Sequence, residues 1–439
     1  MEKLGIPTVT IATSEFIGLA RTSMESFGAP DMSFVIVPHP LGMIPREEVV
    51  KKADAAFPAI LKAATAWKPS QDTLAGLGKA PYPLEVIKFK GTYQDVNKMF
   101  YDKGWSLGLP VIPPTKEAVE RMLKGTSHKP GEIVWDAIPT RNGVVTVEMV
   151  AATGVMAGAK PEHMPLLLAV VEAMKTTPKA GREWRALTTT THHTAPIVIV
   201  SGPIVKELGI AYGIGAMGPE QPVNLAVGYF INLLGDVAGG SRPPKADMTT
   251  QGWVGNTIAT VAGENVDENP WRQSWPVEKG FKPTDNVVIY AGGGMPINQN
   301  DHASVAPESM ANVMAYTMNA VGVSRCFGVG GIWILGPEHA ATLASKGWSK
   351  NDVREYLWKT ALVPYWAQPP MVEGKCSASS CCPPADFKPL TKDTMIPVTK
   401  RPDQIELVVV GGPGKQSQWW PFTEFSPAPP VMVKVDSWK

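Results

Sequence analysis

The chain has 439 residues, with 41 basic against 40 acidic side chains and a net charge of +1. Coating nucleic acid or an anionic membrane needs a large basic excess, so this balance argues against both partners. Charged residues make up 18% and apolar residues 44%; beside the roughly 25% charge of ordinary globular chains, this describes a compact, loop-rich, well-buried protein with subunit contacts, and the partners expected of it are a small-molecule substrate and further copies of itself in a homo-oligomer.

No apolar core of secretory length follows Met1-Glu2-Lys3-Leu4-Gly5. No run reaches the ~18 uncharged apolar residues of a membrane span; the nearest, around 225–235, stops at Asp236. Four cysteines are too few for a disulfide framework, which implies free thiols in a reducing, cytoplasmic setting.

Pro7-Thr8-Val9-Thr10-Ile11-Ala12-Thr13 reads as a buried strand, and Ser14 caps a helix closed by Gly28. Ser33-Phe34-Val35-Ile36-Val37 is a second strand, ending at Pro38-His39-Pro40-Leu41-Gly42. A helical run over 46–67 follows, interrupted or restarted at Pro58. Strand–helix–strand–helix is the pattern of a parallel unit. Because Met1–Gly5 reads as the last turn of a helix with a glycine cap, the expectation is a unit whose first strand and helix precede this chain.

After a Pro/Gly/Ala-rich linker, Thr92 and Asp95 have capping-box spacing before a helix, as do Ser349 and Asp352 before another. Residues 161–174 place Leu166, Leu167, Val170, Val171 and Met174 at helical spacing. Three β-branched segments run into glycine turns: 197–200 before Ser201-Gly202-Pro203, 287–290 before Gly292-Gly293-Gly294, and 407–410 before Gly411-Gly412-Pro413-Gly414. They read as a weak internal repeat or as three α/β units. The fold class is therefore α/β, a truncated Rossmann-like lobe (1–68) and a linker (69–91) before a larger α/β region (92–375). A Cys-rich loop (376–400) and a strand, glycine turn and arm (401–439) complete the plan.

The amino-terminal motifs carry a resemblance. Gly5-Ile6-Pro7-Thr8-Val9-Thr10, Glu15-Phe16 with Leu19-Ala20-Arg21, and above all Val37-Pro38-His39-Pro40-Leu41-Gly42 resemble the UGSC family of thiol or selenol proteins. Residues 92–439 resemble the large region found with that domain, through Val155–Glu162, Ser201-Gly202-Pro203-Ile204 and Val410–Lys415. The family's Cys- or selenocysteine-Gly-Ser-Cys motif has no counterpart in this sequence, and the resemblance implies a position for it upstream of Met1. It also implies a chalcogen nucleophile attacking a small electrophilic or organometallic substrate.

His39 sits at a strand's carboxyl end, where α/β sheets collect ligands, and could orient or deprotonate a thiol. Cys376, Cys381 and Cys382 lie in one Ser-rich loop behind Lys375, which would favour a thiolate. The loop lacks zinc spacing but suits redox exchange or a soft metal. Asp301 beside His302 suits acid–base work. His192, His193, the turn Gly292-Gly293-Gly294 and Lys415 are candidate substrate contacts, the glycine turns through bare N–H groups that could hold an anion. Gly411–Lys415 fails phosphate-loop spacing. Asn224, Asp236, Arg242, Glu264 and Asn265 are further polar candidates, whereas Cys326 reads as core.

Three functions follow as expectations: a thiol- or selenol-dependent redox or soft-nucleophile enzyme, a soft-metal carrier, or an acid–base hydrolase or lyase indifferent to thiols. No metal site or cofactor is assigned by the sequence.

Overall fold

The computed structural model describes residues 6, 8–26, 29, 32–42, 44–66, 82–176, 182–192, 194–243, 246–319, 330–364, 391, 393–422 and 429–439. The amino-terminal lobe is β1 (Thr10–Thr13), a short turn of helix into α1 (Ile17–Ser26), β2 (Phe34–Val37) and α2 (Arg46–Ala66). The two strands pair in parallel from Thr10↔Phe34 to Thr13↔Val37, as strand–helix–strand order requires. One face of this sheet packs Val35 and Val37 against Ala56 of α2, with Val9, Ile60 and Ala63 alongside. The other face leaves Ile11 and Ile36 about half exposed. Helix α2 continues through Pro58, where the sequence suggested a break; the proline deletes one backbone bond, and a 21-residue helix holds the chain from both sides.

The larger region begins with α3 (Tyr93–Asp102) and α4 (Lys116–Leu123), then the hairpin β3 (Ile133–Ile138) and β4 (Gly143–Thr146). Helices α5 (Val147–Met156), α6 (Met164–Lys175) and α7 (Arg182–Thr189) lead to β5 (Ala195–Ser201), α8 (Ile204–Glu207), α9 (Pro222–Val237), β6 (Thr260–Gly263), α10 (Trp275–Glu278) and β7 (Val287–Gly293). The remainder is β8 (Ile297–Asn300), α11 (Pro307–Asn319), β9 (Gly331–Leu335), α12 (Pro337–Ala344), α13 (Lys350–Thr360), β10 (Leu362–Pro364), β11 (Met395–Pro397), β12 (Ile405–Val409), β13 (Gln416–Pro421) and β14 (Val431–Lys434). Both capping boxes form as expected, Thr92 with Asp95 and Ser349 with Asp352.

Two four-stranded sheets, ordered β14-β7-β5-β6 and β12-β9-β13-β8, form the centre. Alternation along each strand divides its side chains between two cores. Ile197, Ile199, Ile289 and Ala291 of the first sheet meet Ile332, Ile334, Val408 and Trp420 of the second. The opposite faces, Val198, Val200 and Tyr290 on one side and Trp333, Leu335 and Leu407 on the other, pack under helices. The result is four layers: α5, α6 and α9, then two sheets, then α11, α12 and α13. Burial on both faces explains why 197–200 in β5 and 407–410 at the end of β12 read as continuous apolar runs.

The sheets share one pairing pattern. In each, a central strand (β5 or β9) has a parallel partner on one side (β6 or β12) and an antiparallel partner on the other (β7 or β13). The fourth strand is exchanged: β8 follows β7 in the chain but pairs with β13, whereas β14 follows β13 but pairs with β7. The expectation of three like strand–turn units is thus corrected to two sheets with swapped edges. Gly292 and Gly293, expected in a turn, are buried strand residues opposite Pro196 and Ala195. Gly293 leaves room where a Cβ would lie 2.8 Å from Ile197 Cδ1, so close approach explains that glycine.

Candidate active site

Adjacent parallel strands with their carboxyl ends together open a crevice for ligands, and β5 and β6 do this. Ser201 closes β5, and the chain turns at Gly202 with φ +106°, where a Cβ would lie 2.3 Å from the Asp285 carbonyl oxygen. Only glycine meets both conditions. Pro203 then leads into α8, whose first N–H, that of Ile204, is capped by Asn286 Oδ1 at 2.8 Å. On the neighbouring strand, Glu264 N donates to Val200 O and extends the ladder one residue past β6.

That extension carries the Glu264 carboxylate inward, to 1% exposure. Ser201 Oγ donates to its Oε2 at 2.6 Å and Trp275 N donates to its Oε1 at 2.8 Å. Burial raises its pKa above the usual carboxylate range; the bonds from Ser201 and Trp275 and the charge of Lys350 oppose the shift without cancelling it. Glu264 and Ser201 line a cleft of ≈ 330 Å³, within the range of small-molecule sites.

The rim is polar. Asp267 accepts from Lys206 Nζ at 2.8 Å and from Tyr212 Oη at 3.0 Å. The Lys206 bond, then the Tyr212 bond, hold Asp267 below its ordinary pKa, and the same bonds raise both partners. This cluster therefore stays an ion pair with a protonated phenol. Arg272, at φ +54°, and Lys282 also line the cleft, and among the described residues neither side chain has an ion-pair partner. The cleft thus combines a buried carboxyl, a hydroxyl bonded to it and two uncommitted cations, which suits proton transfer to or from a small anion.

The sequence-predicted residues fall in several places. His39 is exposed at the carboxyl end of β2; its Nδ1 lies 3.0 Å from Thr13 Oγ1 and its ring 5.8 Å from that of Phe16. Its N–H donates to Ser14 Oγ at 3.2 Å, and Lys52 Nζ donates to Pro40 O at 2.6 Å. The tip of the first βα turn and the His39 loop thus close on each other. Cys326, Cys376, Cys381, Cys382 and His193 lie outside the described residues. His192 donates its N–H to Thr190 Oγ1 at the opposite end of β5 from the cleft.

Asp301, His302 and Lys415 do come together. Lys415 Nζ donates to His302 O at 3.2 Å, and Gln416 Nε2 lies 3.4 Å from His302 Nε2. Asp301 accepts from the N–H groups of Ala303 and Ser304. Burial pushes this carboxyl up, but the Ser304 and Ala303 bonds outweigh it and leave the pKa lowered, which suits a turn cap better than an acid. Gly414 N donates to Glu338 Oε1 at 2.7 Å, so a carboxylate already fills the expected anion nest there.

Sequence reasoning missed His339. It is fully buried, with Nε2 3.1 Å from Asp301 O and Nδ1 2.8 Å from Ser417 Oγ. A carbonyl can only accept, so Nε2 bears the proton and Ser417 donates to Nδ1. Burial lowers the His339 pKa and keeps the ring neutral. No motif surrounds it; only Gly336-Pro337 after an apolar strand, the same pair as Gly202-Pro203 after β5, could have drawn attention to the turn. Asn224 proves structural, its amide bonded to the backbone of Ala211, Ala216 and Val261.

Among the described residues no group of three or more His, Cys, Asp or Glu side chains is placed to hold a metal ion, and no helix is long and apolar enough to cross a membrane. No curated protein and no solved structure matches the chain. Residues 1–66 match the model of the UGSC family, so the lobe that presents His39 is similar to that family.

Proposed function

We propose that the larger region is an acid–base enzyme that moves a proton on a small anionic substrate held in the cleft at the carboxyl ends of β5 and β6. The observation that carries this reading is the Ser201–Glu264 pair, a hydroxyl donating at 2.6 Å to a buried carboxylate whose pKa is raised. Arg272 and Lys282 bind the anionic group of the substrate. Ser201 Oγ takes a proton from the substrate as it passes its own to Glu264 Oε2. The charge leaves the carboxylate and appears on the substrate, next to the two cations. This is the acid–base class among the functions weighed from sequence, with Glu264 and Ser201 in place of Asp301 and His302.

The test is proton–deuterium exchange, followed by NMR, on a panel of small 2-oxo and 2-hydroxy carboxylates. Exchange at C3 of the 2-oxo acids or C2 of the 2-hydroxy acids by the parent protein, lost in Glu264→Gln and kept after alkylation of all thiols, supports the reading. Exchange retained in Glu264→Gln removes it.

A second reading, thiol- or selenol-dependent chemistry, is favoured by the UGSC segment and by His39 at the end of β2, bonded to Thr13. There His39 orients or deprotonates a thiol, which attacks a disulfide substrate and releases one of its thiolates, and Cys376, Cys381 or Cys382 resolves the mixed disulfide by releasing the other. Turnover abolished by thiol alkylation and by His39→Ala, but not by Glu264→Gln, would support it over the first.

A further inference from the structure

The cleft of Ser201 and Glu264 carries more free positive charge than one carboxylate needs. Three cationic side chains line it, Lys206, Arg272 and Lys282, against three carboxyls, Glu264, Asp267 and Asp285. The acids are already committed. Asp267 pairs with Lys206 at 2.8 Å, and Asp285 pairs at 2.9 Å with Lys434, which stands outside the lining. Glu264 takes the bonds of Ser201 and Trp275. Arg272 and Lys282 are left over, both exposed and, among the described residues, with no side-chain partner.

These two cations come to the cleft from opposite flanks of β5. In the order β14-β7-β5-β6, Arg272 lies in the segment that leaves β6 and Lys282 in the segment that enters β7. Between them in the chain, α10 contributes Pro276 and Val277 to the lining, so apolar surface separates the charges. Each cation stands on a fixed turn. Arg272 N donates to Asn269 O at 3.0 Å, and Asn269, 4% exposed, ties the loop shut through Nδ2 to Gln273 O at 2.9 Å. Lys282 N donates to Asp285 Oδ2 at 2.9 Å, and Asp285 N returns a bond to Lys282 O at 3.0 Å. Arg272 also sits at φ +54°, a left-handed conformation that costs every side chain more than glycine. An unpaired arginine kept there on a braced loop fits a preorganised binding group.

We infer that the cleft takes a small dicarboxylate, a short aliphatic chain with one carboxylate held by Arg272 and the other by Lys282. This rests on the reaction proposed for the cleft and narrows it: the substrate gains a second anionic group, and each cation has its own. A single carboxylate would leave one cation without a counter-charge, whereas a dianion matches both. The apolar surface of Pro276 and Val277 suits the methylene carbons between the two ends. Size agrees as well. At about 30 Å³ per water, the ≈ 330 Å³ of the cleft has room for about eleven water-sized groups, and a five- or six-carbon dicarboxylate has about nine or ten heavy atoms.

The test is titration of the full chain, by ligand-observed NMR, with succinate, glutarate and adipate, each beside the monocarboxylate of the same carbon count: butyrate, pentanoate or hexanoate. At least one dicarboxylate should bind saturably and about tenfold or more tighter than its monocarboxylate. Arg272→Gln and Lys282→Gln, with folding checked by circular dichroism, should each bring that pair to within about threefold, because either variant leaves a single cation. Binding needs no proton transfer, so the expected pattern without any deuterium exchange would support the dicarboxylate site and remove the reaction. No saturable dicarboxylate binding, equal affinity within each pair, or a preference that survives both substitutions overturns the inference, and exchange on monocarboxylates would then leave the reaction standing.

Discussion

Ser201 and Glu264 come from the ends of neighbouring parallel strands, and the 2.6 Å bond between them ties those ends together where the sheet opens. Trp275 extends the tie between the sheets: its N–H donates to Glu264 at 2.8 Å and its Nε1 to Glu406 of β12 at 3.0 Å. Glu264→Ala should therefore unfold more easily by about 3 kcal/mol, from the cavity and from stranding the Ser201 hydroxyl and Trp275 N–H. Glu264→Gln keeps the volume and should cost less. Urea unfolding of the two variants measures this, and equal stability of Glu264→Ala and the parent would contradict it.

The exchanged edges make the two sheets mutually dependent. Removing 431–439 takes away β14, and with it Val433 and Val435, which are 7% and 0% exposed. At about 1.5–3 kcal/mol for each buried side chain, the loss should be about 3–6 kcal/mol. Hydrogen exchange should show protection falling in β7, the strand that β14 covers, before it falls in β9 and β12. Unchanged protection of β7 would contradict the pairing.

Asp236 gives a pH signature. It is 3% exposed, its Oδ2 has no hydrogen-bond partner among the described residues, and burial raises its pKa to about 6 against the pull of Arg242 and Arg141. The native state then binds a proton more tightly than the unfolded chain, whose value is 3.8, so stability falls as pH rises from about 4 through 6. Above that window the penalty is about 3 kcal/mol. Asp236→Asn should be more stable than the parent at pH 8, with the gap closing toward pH 4. Parallel stability curves for parent and variant across this range would rule the effect out.

How much of this was legible depends on whether a feature is local. The capping boxes at Thr92 and Ser349, the amphipathic run now in α6, and the apolar strands at Ile197–Val200 and in β12 were readable because neighbouring residues decide them. The strand exchange was not, since β8 and β14 pair with strands far along the chain and nothing in Ile297–Asn300 or Val431–Lys434 marks the partner. Gly292 and Gly293 mislead for a physical reason: glycine signals a turn in isolation, but here Gly293 leaves room for the Ile197 side chain of the paired strand. The sequence marks Glu264 only as a polar candidate, because its burial depends on the ladder running one residue past β6.

His39 is exposed and makes its described contacts within the lobe, so His39→Ala should leave the unfolding free energy within about 0.5 kcal/mol of the parent. Thermal unfolding checks this, and a drop beyond about 2 kcal/mol would make His39 a structural residue and not a candidate for chemistry.

In the proposed reaction Glu264, through Ser201, moves a proton on a small anion. The most direct measurement is deuterium exchange into a small 2-oxo carboxylate by the full chain, the parent beside Glu264→Gln and Ser201→Ala. Exchange by the parent that drops by about 10²-fold or more in both variants, with their folds intact by circular dichroism, is the predicted result. Exchange that persists in both variants would contradict it.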